Sequence, residues 1–151
     1  MNLNVNEQEY TGYGALVLRV SLGLVLVAHS LYLKLMVFSL GGTAQFFISV
    51  GLPGWLAYVV FAVEAVAGIA LILGYKSRWF AAAVVPILFG AAWVHWPNGW
   101  LFSAANGGWE YPVFLAFIAI CVGLIGDGAY ALSGKYVYKG TARGAQNAAA
   151  S

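Results

Sequence analysis

The sequence predicts an all-α integral membrane protein, a four-helix bundle with both termini in the cytoplasm. Three observations carry that prediction. Of the 151 residues 62% are hydrophobic and only 8% are charged, whereas a soluble domain carries roughly 25% charged residues. Mean hydropathy is +0.83. Four apolar runs are separated by short connections rich in Gly, Pro and aromatic residues. So few charges cannot cover a water-facing surface, so lipid must be the solvent for much of the fold. The net charge of +2 and the lack of a basic stripe argue against nucleic acid as a partner. The single Cys121 excludes an intramolecular disulfide.

Residues 1–12 read as a polar N-terminal tail, 13–133 as the membrane domain and 134–151 as a flexible C-terminal tail. The first run, Tyr13 to Phe38, carries Arg19, His29 and Lys34 and is long enough to cross a ~30 Å core at ~1.5 Å per residue. Residues 39–52 are too short to cross and read as an interfacial or re-entrant piece. Pro53 suits the first turn of a second span reaching Tyr75, with Glu64 near its middle. The basic turn GYKSR leads to a third span, Trp79 to Trp96, in which Pro86 predicts a kink. Pro112 opens a fourth span to about Ile125. Small residues at Ala65–Gly68–Ala70 and Ala81–Ala82–Ala83 predict close helix approach. Lys76, Arg78, Lys135, Lys139 and Arg143 fall on one side and Lys34 on the other, which by the positive-inside rule makes the first side cytoplasmic.

Ionisable residues inside a membrane are costly and usually face the bundle interior. Arg19 and Glu64 are expected to pair, either as a structural ion pair or with Glu64 in a proton relay. His29 and His95 each lie sixteen positions beyond the first aromatic residue of parallel spans, so they should reach the same outer depth. Glu110 enters the fourth span from that end and Lys34 closes the first span there. The stretch HWPNGWLFSAANGGWEYP, residues 95–112, adds Asn98, Asn106 and Trp109. His29, His95, Glu110 and Glu64 are therefore candidate catalytic residues. Arg19, Lys34, Asn98, Asn106 and Trp109 are candidate ligand-binding residues.

Three chemistries fit such a cluster. A quinone headgroup needs hydrogen-bonding partners at its oxygens and a proton acceptor nearby, roles that His and a carboxylate supply. Two His on facing helices could instead ligate a haem iron or copper, or with Glu110 a harder metal. Otherwise each His hydrogen-bonds within the interface and the Trp residues form an aromatic belt. Asp127 in GDG reads as a turn residue near Lys76 or Arg78.

The series LRVSLGLVLVAHSLYLKL, GGTAQFFISVGLP, VEAVAGIALILGYKSR, VHWPNGWLFSAANGGWEYP and IGDGAYAL resembles the DoxX family of small bacterial membrane proteins over residues 14–133. The resemblance implies a four-helix membrane bundle. It also implies a link to quinone chemistry, because the name-giving members look like subunits of a terminal quinol oxidase and thiosulfate:quinone oxidoreductase. The expectation is a quinone-interacting oxidoreductase subunit in a bacterial or archaeal cytoplasmic membrane, with a membrane or periplasmic protein partner or a second copy of itself. The alternatives are a non-catalytic anchor of a larger complex and a small-solute or lipid carrier.

Overall fold

The computed structural model describes residues 5–133, and every regular element among them is helical. Helix α1 runs Val5–Val27 and continues without a break as a π-helix, Ala28–Val37. It begins within the segment that reads as a polar tail. The short α2 is Leu40–Ser49, α3 is Trp55–Leu73, α4 is Ser77–His95 and α5 is Glu110–Ile125. Lys135, Lys139 and Arg143, like the rest of the C-terminal tail, lie outside the described residues.

Among the described residues three helices are long and apolar enough to cross a membrane: Glu9–Val37, Trp55–Leu73 and the stretch Ser77–Asn98. The fourth, α5, is apolar but has 16 residues. At ~1.5 Å per residue it extends about 24 Å, short of a ~30 Å core. It packs between α4 and α1, while α3 packs between α1 and α4, so the four helices close into a ring. Leu22, Leu26, Leu71, Val84, Leu88, Leu115 and Val122 fill its centre.

The register of α1 against α3 is set by two glycines. A Cβ on Gly23 would lie 2.8 Å from the Gly68 carbonyl, and one on Gly68 would lie 2.9 Å from Val27 Cγ2. Only glycine lets the two backbones approach this closely. Ala65, Gly68 and Ala70 are all buried, as their spacing predicts, but only Ala81 of the Ala81–Ala83 run is; Ala82 and Ala83 face outward. Helix α4 continues through Pro86.

Arg19 overturns the expected pairing. Its side chain is fully buried and does not meet Glu64. Nε donates to the Asp127 carbonyl at 2.7 Å, Nη1 to Leu71 and Ile72 at 2.7 and 2.8 Å, and Nη2 to Ala129 and Tyr130 at 2.9 and 3.2 Å. Five N–H groups meet five carbonyls, the full donor capacity of a guanidinium. The carbonyls of Leu71 and Ile72 belong to the last turn of α3, where the usual i+4 donors run out and Leu71 O otherwise accepts only from the cap residue Gly74 N at 3.1 Å. Antiparallel register explains the match: Gly23 opposes Gly68, so Arg19, four residues earlier, reaches Ile72, four residues later.

The turn after α5 is the other half of this knot. Asp127 Oδ1 accepts from Ser77 N at 2.7 Å and so caps α4. Ser133 Oγ accepts from Lys76 N at 2.8 Å and donates to the Gly74 carbonyl at 3.0 Å. Gly74 ends α3 in the left-handed region (φ +69°), and a Cβ there would lie 2.8 Å from Arg19 Cζ.

Candidate functional site

At the opposite end of the bundle from this knot lies a cavity of about 580 Å³. Its walls come from α1 and its π-helical continuation, α2, α3, α4, α5 and the loop after α4. Most of the lining is apolar, including Phe46, Phe47, Leu56, Ile87, Trp93 and Leu115. The polar and ionisable lining consists of His29, Lys34, Glu64, His95 and Tyr111.

The π-helix explains how His29 and Lys34 share one wall. In an α-helix, residues five apart are rotated by ~140° around the axis and face different ways. The π-helix bonds each N–H to the carbonyl five residues back, so residues at that spacing lie one above the other. Phe38 N donates to Leu33 O at 2.8 Å and continues this pattern at its end. Helical side chains also lean toward the N-terminus, which brings Lys34 back toward the middle of the bundle. There its Nζ pairs with Glu64 Oε2. The two side chains are 17% and 7% exposed, so neither charge is well hydrated without the other.

Each imidazole is held by a main-chain carbonyl. His29 Nδ1 donates to Val25 O at 2.9 Å, and its ring stacks on Tyr111 with centroids 6.2 Å apart. His95 Nδ1 donates to Asn106 O at 3.1 Å. Since a carbonyl can only accept, the proton of each neutral ring is on Nδ1, and Nε2 carries the free lone pair.

Glu110, Asn98, Asn106 and Trp109 form the loop over the cavity and do not line it. Asn98 Nδ2 donates to the Asn106 and Gly107 carbonyls at 3.0 and 2.9 Å. Glu110 Oε2 accepts from Phe102 N at 3.3 Å, at the α5 N-terminus, where the helix dipole favours a carboxylate. Trp109 stacks on Trp96 at 4.6 Å and meets the edge of Trp100 at 4.4 Å. Gly108 sits buried beneath the Gly99, Trp100 and Leu101 carbonyls. The loop is thus a compact, self-bonded cover whose Asn106 carbonyl holds His95 in place. Asn106 contributes through its backbone alone.

The cavity therefore unites His29, His95, Lys34 and Glu64, while Arg19 is at the far end. The sequence reading missed the Lys34–Glu64 pair and the contribution of Tyr111. A signal for Tyr111 was present, because it stands between Glu110 and Pro112 in the polar 95–112 stretch, at the first turn of α5. Among the described residues no three His, Cys, Asp or Glu side chains gather as a metal-binding group.

Comparison with known proteins agrees with this architecture. Residues 14–96, more than half of the chain, match the DoxX family. A relative from Bacillus subtilis (strain 168), named "Putative oxidoreductase CatD", is 32% identical over 131 residues, which cover 87% of this chain and 92% of the relative. No solved structure matches the chain. With its family match and its membrane-length apolar helices, this chain belongs to the DoxX family and is a multi-pass membrane protein.

Proposed function

We propose that the protein is a quinone-interacting subunit of an oxidoreductase complex in a bacterial or archaeal cytoplasmic membrane, and that the cavity receives the quinone ring. One observation carries this reading: the cavity combines two oriented imidazoles and a buried ion pair with an otherwise apolar lining. Its volume of about 580 Å³ lies within the ~300–1,000 Å³ of small-molecule sites. Phe46, Phe47 and Trp93 would flank an apolar ring and tail, while His29, His95 and the Lys34–Glu64 pair would meet its oxygens. The name of the Bacillus subtilis relative supports redox chemistry. With Lys76 and Arg78 on the cytoplasmic side, both termini are cytoplasmic, α5 completes the crossing with help from its flanking turns, and the cavity lies in the outer half of the membrane.

The test is the quinone content of protein purified from its membrane, extracted and quantified against protein. The wild-type chain should carry quinone, and His29→Ala and His95→Ala should lose most of it while melting near the wild type. Equal quinone content in all three would remove the site from the cavity. A second reading, a non-catalytic anchoring subunit, draws on the exposed Trp100, Leu101 and Phe102 at the loop surface, which would dock a periplasmic or membrane partner. It predicts recovery only as a stoichiometric complex, with no quinone dependent on either His.

A further inference from the structure

We infer that the cavity selects the reduced, hydroxyl-bearing form of its ring ligand over the oxidised, carbonyl form. This rests on the reading that the cavity takes a quinone-class ring, and it adds which redox form the polar groups recognise.

The inference comes from donors and acceptors. The Nδ1–H groups of His29 and His95 are committed to the Val25 and Asn106 carbonyls. Both neutral rings can therefore offer the cavity only the Nε2 lone pair, an acceptor. Glu64 engages Lys34 through Oε2, and its other oxygen is a further acceptor. The Lys34 ammonium spends one of its three N–H groups on Glu64, and the others meet a hydroxyl oxygen as readily as a carbonyl, so they do not discriminate between the two forms. The Tyr111 hydroxyl can either donate or accept, and Trp93, whose indole can donate, is 63% exposed at the rim. The buried polar end is thus rich in acceptors.

A quinone presents two carbonyl oxygens and no hydrogen to donate. Facing an imidazole lone pair, such an oxygen makes no bond and leaves a desolvated acceptor unmet. A quinol presents two O–H donors that satisfy those acceptors. A site built to bond a hydroxyl rejects the analogue without it because its own buried groups are left unpaired. The Nδ1–H bonds to the Val25 and Asn106 carbonyls keep both rings from turning Nδ1 inward.

The experiment uses the full chain in lipid nanodiscs under anaerobic conditions. Three probes share one ring: tetramethylhydroquinone, its dimethyl ether and tetramethylbenzoquinone. The hydroquinone should bind at least about tenfold more tightly than the other two. For the couple Q + 2e⁻ + 2H⁺ ⇌ QH₂, a tenfold preference for the reduced form raises the bound midpoint potential by about 30 mV. His29→Phe and His95→Phe should each bring the ratio toward one. Equal binding, or tighter binding of the quinone, overturns the inference and leaves the cavity a quinone site. Failure of all three probes to bind overturns the ring-ligand reading itself. If the His variants do not fold, the comparison of diol with ether on the wild-type chain still decides, since the two differ in their hydroxyl hydrogens and methyl caps but not in redox activity of the protein.

Discussion

Breaking the Lys34–Glu64 pair should be among the most damaging single changes at the cavity end of the bundle. The pair is held at 17% and 7% exposure, in surroundings that are otherwise apolar. Removing one member of a buried pair costs about 3–5 kcal/mol, because the survivor is left as an uncompensated charge. The two single variants are not equivalent. Glu64→Leu leaves Lys34 in the last turn of its helix, where a long flexible stem can carry the ammonium toward the interface. Its cost should fall near the lower end, about 3 kcal/mol. Lys34→Met leaves Glu64 in the middle of α3, on a short side chain with no such escape, and should cost nearer 5 kcal/mol. The double variant Lys34→Met/Glu64→Leu removes both charges and should be more stable than either single. Unfolding by SDS titration in mixed micelles measures all four corners of the cycle. A coupling energy of at least ~2 kcal/mol is expected. Single variants that simply add, with coupling below ~0.5 kcal/mol, would refute the claim that the charges depend on each other.

Arg19→Lys should destabilise by roughly 3 kcal/mol or more, since three ammonium donors cannot replace five guanidinium N–H groups in fixed geometry; the same SDS titration measures it. Gly23→Ala should cost about 1–3 kcal/mol by forcing α1 away from α3, while Gly14→Ala, with open space around its Cβ, should be neutral or slightly stabilising in the same assay. Glu110→Gln should leave ligand binding within about twofold and instead increase proteolytic cleavage in the 99–108 loop, because its carboxylate bonds Phe102 N. Lost binding with an intact loop would return Glu110 to the site.

The helices and their polar interruptions were legible because they depend on local composition. Apolar runs of membrane length mark the spans, Pro53 and Pro112 mark where α3 and α5 start, and the Gly-rich 95–112 stretch marks an irregular connection. Asp127 was legible as a turn residue near Lys76 because GDG follows an apolar run directly. The partners of the charges were not legible. Arg19 and Glu64 are the most central charges of adjacent spans, and pairing them is the natural expectation from sequence. The structure instead gives Arg19 five carbonyls and gives Glu64 to Lys34. That outcome depends on helix register, which the Gly23–Gly68 approach sets, and on which carbonyls a helix end leaves unmet.

The same division runs through the candidate site. From sequence, His29 and His95 could be assigned a common depth by counting residues from the span starts, and both do line one cavity. Counting could not show that Glu110, Asn98 and Asn106 are consumed by the loop that covers it, because a loop's internal hydrogen bonds depend on how it folds back. Nor could it show the π-helix, which turns Lys34 onto the face of His29.

The sequence by itself determined the solvent, the helical class, the approximate spans and the short list of groups able to do chemistry. These follow from composition and from the cost of placing unbonded backbone or charge in lipid. Only the tertiary structure decided which of those groups meet. A hydrogen bond or ion pair needs its atoms within about 3 Å, and that is settled by close packing of glycines, by π-helical register and by loop closure.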